Sequence, residues 1–233
     1  MIRPWQGLRR LRRHLFDGYA RTSYAQCGED LIVRHLLLDV LGRTEIRYLD
    51  IGAHHPWFLN NTALFYRMGF TGVCVEPDAT QYRNLRRERP RDICLHAGIG
   101  LGADAVADFY VLSAPTLNTF SRQEAERYVA EGHRLERVAR VPLVSANAVL
   151  SQHFPRSPEF VSIDVEGLDE GVLRSLDFEA HRPDVFSIET LTHSSDRRQW
   201  KKRDSIMELM AEKGYVVYAD TFINTIFVNH AIW

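Results

Sequence analysis

A carboxylate or a glycine directly follows a short apolar run at two neighbouring places in the chain. The run Tyr48–Ile51 leads into Gly52 and Ala53, and the run Gly72–Val75 leads into Glu76. Small residues let a ligand approach the backbone, and a carboxylate about 20 residues past a glycine turn can accept from both hydroxyls of a ribose. The spacing therefore predicts a site for an adenosine-containing small molecule.

The turn after the first run has too few glycines for a dinucleotide. A pyrophosphate site uses G-x-G-x-x-G, whereas this turn reads Gly52-Ala-His-His-Pro-Trp57 and carries two bulky imidazoles. S-adenosylmethionine has an adenosine without phosphates, so we expect it in place of NAD. Asp50 lies beside the turn and is a candidate to bind the cationic methionine end of S-adenosylmethionine. An NAD-binding oxidoreductase is the alternative interpretation.

A second group of reactive side chains follows two later apolar runs. Asp164 comes after Phe160–Ile163, and Glu189 follows Val185–Ile188, with His193 a few residues further on. Methyl transfer is an in-line displacement in which the nucleophile must be aligned and must lose a proton. We expect Asp164 or His193 to take that proton, or a divalent cation such as Mg²⁺, held between Asp164 and Glu189, to acidify the hydroxyl.

Four motifs together resemble the FkbM family of S-adenosylmethionine-dependent methyltransferases. In chain order they are Ser23–Leu31, Asp50–Pro56 with Asn61 and Thr62, Gly69–Pro77, and Ser162–Gly167. The resemblance implies a class I methyltransferase fold and methylation of a hydroxyl oxygen on a sugar, a glycan or a secondary metabolite. It also implies that Gln26 lies over the cofactor. His54 departs from the family pattern, in which asparagine or another small polar residue is expected.

Ligands of open α/β sheets bind outside the carboxyl ends of the strands. The cofactor-binding residues predicted on this rule are Asp50, Gly52, Ala53, His54, Glu76 and Pro77. The rule places the cofactor at the first two strands and the acceptor at the two strands that precede Asp164 and Glu189.

Apolar runs alternate with amphipathic segments in the way that a parallel sheet requires. Strands are predicted near 47–51, 72–75, 92–96, 160–163, 185–188, 215–218 and 225–228, and helices near 29–41, 61–68, 79–89, 146–152, 169–176 and 197–213. We therefore predict one methyltransferase domain over 23–233, Rossmann-like, with a seven-stranded, mostly parallel sheet and helices on both faces. Strands at 105–112 and 136–141 with a helix at 122–131 form an insertion, which we expect to select the substrate.

The segment 1–22 is predicted to be a basic amphipathic helix. Arg9, Arg10, Arg12 and Arg13 surround an apolar stripe, so the helix either packs on the domain, docks on a partner in a catalytically silent relative, or rests on an anionic membrane. The net charge of −1 over 233 residues gives no general attraction to nucleic acid. Three cysteines without C-x-x-C spacing, and the lack of a long apolar run, predict a cytoplasmic enzyme.

Overall fold

The computed structural model describes residues 21–102, 105–165, 167–192 and 200–233. The strands are β1 Arg47–Ile51, β2 Thr71–Val75, β3 Ile93–Leu95, β4 Gly98–Ile99, β5 Val106–Leu112, β6 Leu135–Val144, β7 Phe160–Ile163, β8 Val185–Glu189, β9 Leu191–Thr192, β10 Lys201–Lys202, β11 Tyr215–Asp220 and β12 Asn224–Asn229. The helices are α1 Glu29–Arg34, α2 Ala63–Arg67, α3 Ala79–Glu88, α4 Arg122–Ala130, α5 Ala146–His153, α6 Asp169–Ser175 and α7 Asp204–Glu212.

The predicted basic helix over 1–22 falls almost entirely outside the described residues, so its membrane contact stays a prediction. Within the described ranges, no helix combines the length and the apolar character that crossing a membrane requires.

Seven strands form one sheet in the order β3-β2-β1-β7-β8-β12-β11. The pairs from β3 to β8 are parallel, and β12 runs antiparallel to both of its neighbours. The predicted seven-stranded, mostly parallel class I fold is confirmed. The strand order reverses between β1 and β7, and in such sheets the ligand crevice opens at the carboxyl ends of the strands at this switch point.

The core lies on both faces of this sheet, because successive residues of a strand point to opposite sides. Leu49 and Ile51 of β1 pack with α5, α6 and α7 on one face. Tyr48 of the same strand and Phe160 of β7 pack with α1 and α2 on the other. Burial on both sides explains why these strands read as continuous apolar runs, and it leaves their carboxyl ends as the place for polar side chains.

The predicted insertion forms a separate cap, which comprises the described residues 98–102 and 105–144. Strand β6 pairs antiparallel with β5 and parallel with β4, and α4 packs against β5. The ring of Phe120 fills the space beside Gly98, where a Cβ atom would overlap it. Ile99 of β4 belongs to the same buried apolar cluster as Leu49 and Ile51 of β1, so the base of the cap is anchored to the core of the sheet.

Two predicted helices differ from the observed ones. The α-helix predicted to Leu41 ends at Arg34 and continues as a π-helix over His35–Val40, in which the amide of Leu41 donates to the carbonyl of Leu36. Over so short a segment, a π-helix and an α-helix bury apolar residues at similar spacings. The sequence pattern therefore does not distinguish the two helix types. The helix predicted from 197 begins at Asp204, because Lys201–Lys202 pair with Leu191–Thr192 as a short hairpin.

Candidate functional site

A cavity of about 390 Å³ opens at the carboxyl ends of β1, β2, β7 and β8, beneath the cap. The predicted site residues that line it are Gln26, Gly52, His54, Glu76, Pro77, Asp164 and Glu189. Asp50 and Ala53, both within the described ranges, do not line it. His193 lies outside the described residues, so its catalytic role stays a prediction.

Four of the lining residues follow one another along the edge of the sheet. Glu189 ends β8, Asp164 follows β7, Gly52 follows β1 and Glu76 follows β2, and these four strands are direct neighbours. Neighbouring strands lie about 4.8 Å apart, so the row spans roughly 14 Å from Glu189 to Glu76. One ligand can therefore contact Glu76 at one end while a second approaches Asp164 and Glu189 at the other.

Glu76 is held by backbone amides on both of its oxygens. Its Oε2 accepts from the amide of His54 at 2.7 Å, and its Oε1 accepts from the amide of Asp78 at 2.6 Å. Burial raises the pKa of Glu76 to about 8, against the effect of these two hydrogen bonds. Each carboxylate oxygen has a further lone pair, so the carboxylate can still accept from two ligand hydroxyls.

Asp50 is buried beneath the loop that follows β1 and does not line the cavity. Its carboxylate accepts from the Thr62 hydroxyl at 2.6 Å and from the Asn60 amide at 3.3 Å. Burial raises the pKa of Asp50, and the charge of Arg89 opposes that shift. The carboxylate is thus partnered inside the protein, and a direct contact with the methionine end of a cofactor stays a prediction.

A buried polar network that the sequence did not reveal supports the loop from Gly52 to Thr62. Arg89 is fully buried and donates to Asp92 at 2.8 Å, to the Asn60 side-chain oxygen at 3.1 Å and to the Thr62 hydroxyl at 2.8 Å. The Asn60 amide in turn donates to the carbonyl of Ala53 at 2.8 Å. The polar triplet Asn60-Asn61-Thr62 is the sequence feature that could have indicated this network. No pattern in the sequence connects the triplet to Arg89, which lies 27 residues after Thr62.

His54 has the geometry of a ligand-binding side chain. Its backbone is left-handed, with φ of 49°, and its Nε2 is buried without a hydrogen-bond partner among the described residues. Burial, followed by the proximity of His55, lowers the pKa of His54, so the imidazole is neutral. This buried ring nitrogen is therefore available to a ligand or to a water molecule.

Asp164 and Glu189 lie at the β7 and β8 end of the row. The amide of Asp164 donates to the carbonyl of Ile51 at 3.0 Å, which ties the end of β7 to β1. Burial, and then the nearby Asp169, raise the pKa of Glu189 to about 8, while Arg203 opposes the shift. In the part of the chain that the structure describes, no three His, Cys, Asp or Glu side chains cluster as metal ligands. A cation between Asp164 and Glu189 therefore stays a prediction.

Comparison with known proteins agrees with this arrangement. A family model described as "Methyltransferase FkbM domain" matches residues 50–217. No curated protein matches the chain significantly in sequence.

Several solved methyltransferase structures are similar to the chain. A TehB-like S-adenosylmethionine-dependent methyltransferase from Corynebacterium glutamicum has 10% identity and a TM-score of 0.43, over 97% of this chain and 100% of that chain. An amino pentose methyltransferase of calicheamicin biosynthesis from Micromonospora echinaspora has 9% identity and a TM-score of 0.45, over 98% of each chain. A 1,6-didemethyltoxoflavin-N1-methyltransferase from Burkholderia thailandensis has 13% identity and a TM-score of 0.41, over 98% of this chain and 89% of that chain.

Proposed function

Since the chain belongs to the FkbM methyltransferase family, we propose that it transfers a methyl group from S-adenosylmethionine to a hydroxyl oxygen of a sugar, a glycan or a secondary metabolite. The observation that carries the cofactor assignment is Glu76. It is a buried carboxylate at the end of β2, it lines the cavity, and two backbone amides orient it. A ribose diol needs such a fixed double acceptor.

The residues around Glu76 fit the rest of the cofactor. Gln26, Gly52, His54 and Pro77 also line the cavity, and the unsatisfied Nε2 of His54 is available to a polar group of the ligand. When bound, S-adenosylmethionine supplies a methyl group on a positively charged sulfur. The carboxylate of Asp164 makes its side of the cavity favourable for positive charge. Glu189, whose pKa is raised to about 8, strengthens this effect only as the pH rises.

Asp164 is the proposed catalytic residue. It follows β7 and lines the cavity. In the row of strand ends it lies between Gly52, which follows β1, and Glu189, which ends β8. In this role its carboxylate orients the acceptor hydroxyl and takes up the proton as the oxygen acquires the methyl group. His193 is the second candidate for the base. A divalent cation held by Asp164 and Glu189 is the competing way to lower the pKa of the hydroxyl.

The cofactor assignment is tested by calorimetric titration of the full chain with S-adenosylhomocysteine and, separately, with NAD. We expect one S-adenosylhomocysteine per chain and no NAD binding. Preference for NAD, or no binding of S-adenosylhomocysteine, would refute the proposal. The reaction is then tested with methyl-labelled S-adenosylmethionine and a pool of hydroxyl acceptors. Label on nitrogen or carbon instead of oxygen would show that the acceptor assignment is wrong.

A further inference from the structure

The cap places Arg127 at the cavity and pairs it with two glutamates of the same helical face, of which Glu131 also lines the cavity. Arg127 of α4 donates to Glu124 at 2.6 Å and to Glu131 at 2.9 Å, at the i−3 and i+4 spacings that bring helical side chains together. The three side chains are 26 to 33% exposed, so they are accessible without being fully solvated. Arg127 and Glu131 both line the cavity.

The two carboxylates occupy most of the hydrogen-bonding capacity of Arg127. A guanidinium has five N–H donors. The Nε and one terminal nitrogen of Arg127 donate to Glu124, and the other terminal nitrogen donates to Glu131. Two N–H groups remain, one on each terminal nitrogen, so a phosphate or a carboxylate could use at most these two donors. It would also share the guanidinium with two carboxylates that already neutralise its charge.

The remainder of the cavity is also unfavourable for an anion. Its described lining contains four carboxyl groups, on Glu76, Glu131, Asp164 and Glu189, and Arg127 is the one arginine or lysine among those lining residues. A negatively charged acceptor would lose hydration and face the carboxylates of Glu131 and Asp164, and like charges in close proximity are strongly disfavoured in a partly buried site. Glu76 and Glu189, whose pKa values are raised to about 8, add to this repulsion only as the pH rises. A hydroxyl avoids this cost, because it can donate to Glu131 and accept from Arg127.

We infer that the cap selects an acceptor whose reacting portion is an uncharged, polyhydroxylated group, and that Glu124 and Glu131 exclude phosphorylated or carboxylated acceptors by neutralising Arg127. The inference rests on the proposed function and refines its acceptor class. The ring of Tyr128 lies 4.4 Å from the Arg127 guanidinium and also lines the cavity, so an apolar face adjoins the polar pair. An arginine in a substrate cap ordinarily indicates an anionic substrate, and its two carboxylate partners reverse that expectation here.

Inorganic phosphate is the probe that tests the inference without knowledge of the acceptor. It is titrated calorimetrically, at constant ionic strength, into the full chain saturated with S-adenosylhomocysteine. The double variant Glu124→Gln/Glu131→Gln exposes the charge of Arg127, and adding Arg127→Gln removes it. The matched control Glu126→Gln/Glu136→Gln removes the same net charge from exposed positions of the cap.

We expect no measurable phosphate binding by the natural chain or by the control. The Glu124→Gln/Glu131→Gln variant should bind phosphate at least about tenfold more tightly, and the added Arg127→Gln should abolish the gain. Arg127-dependent phosphate binding by the natural chain would overturn the inference, and so would a double variant that gains nothing. The phosphate titration is repeated without S-adenosylhomocysteine. Its outcome is then independent of the cofactor assignment, which is judged by the separate titrations with S-adenosylhomocysteine and NAD.

Discussion

A methyl group placed on the Cα atom of Gly52 would overlap the backbone carbonyl oxygen of Asp164. Gly52 also has φ of 83°, a left-handed conformation that side chains disfavour. The turn after β1 is thus packed directly against the end of β7, and the glycine joins the part of the cavity at β1 and β2 to the part at β7 and β8. Packing between two strand ends, as well as space for a ligand, requires glycine at this position.

Gly52→Ala should therefore destabilise the protein itself. We expect a loss of at least about 2 kcal/mol, because the overlap with Asp164 adds to the roughly 1–2 kcal/mol cost of a left-handed alanine. Urea unfolding measures it. Gly42→Ala is the matched control, since Gly42 has φ of 64° with open space around it. Equal losses in the two variants would show that the contact with Asp164 is unimportant.

Replacing Glu76 with Gln should weaken S-adenosylhomocysteine binding by about 1.5–3 kcal/mol for each charge-assisted hydrogen bond lost. Calorimetry measures the affinity, and Glu88→Gln, an exposed change on α3, is the control. In the natural chain the affinity should also increase as the pH rises toward about 8, because the ionised carboxylate is the stronger acceptor. Natural affinity in Glu76→Gln would remove the basis of the ribose assignment.

The stability of the protein without ligand should fall as the pH rises from about 4.5 to about 8. Burial raises the pKa of both Glu76 and Glu189 from 4.5 to about 8, so in this window the folded chain holds protons that the unfolded chain has released. Each group then lowers the free energy of unfolding by up to about 1.4 kcal/mol per pH unit. Urea unfolding at several pH values, with Glu76→Gln and Glu189→Gln as comparisons, should show a flatter dependence in each variant. Unchanged slopes would contradict these pKa shifts.

Arg89→Met should destabilise the protein by about 3–5 kcal/mol, because it leaves the Asp92 carboxylate buried without its ion-pair partner. Arg87→Met removes an exposed arginine from the same helix and should leave the free energy of unfolding nearly unchanged. Denaturant unfolding of both variants makes the comparison. A small effect of Arg89→Met would mean that Asp92 becomes protonated or hydrated without cost.

Asp164→Asn should lower turnover by about 10²–10⁴-fold if Asp164 is the base, while the affinity for S-adenosylhomocysteine stays the same. Turnover is measured with the acceptor found in the labelling experiment. Loss of activity in EDTA and recovery with magnesium would indicate metal-assisted transfer, whereas indifference to EDTA would favour acid–base chemistry. Normal turnover of the variant would exclude both roles of Asp164 and make His193 the next candidate.

Much of the fold could be predicted from the sequence, because burial on both faces of a parallel sheet leaves a pattern along the chain. The seven core strands read as apolar runs, and the residues at the carboxyl ends of the parallel strands had to meet at one edge of the sheet. Gly52, Glu76, Asp164 and Glu189 were found in this way, and all four line the observed cavity. The π-helix over His35–Val40 left no such pattern, because its apolar spacing matches that of an α-helix over a short segment.

The sequence by itself thus determined the fold class, the family and the strand-end row of the site, since each depends on local patterns or on the order of strands. Only the tertiary structure decided where the charges are neutralised. The partners of Asp50 are 10 to 12 residues away, Arg89 contacts the loop across 27 to 29 residues, and the face of α4 that carries Arg127 is turned toward the cavity by the packing of the cap. A hydrogen bond requires proximity in space, and linear spacing does not specify that proximity once chain segments from different elements meet.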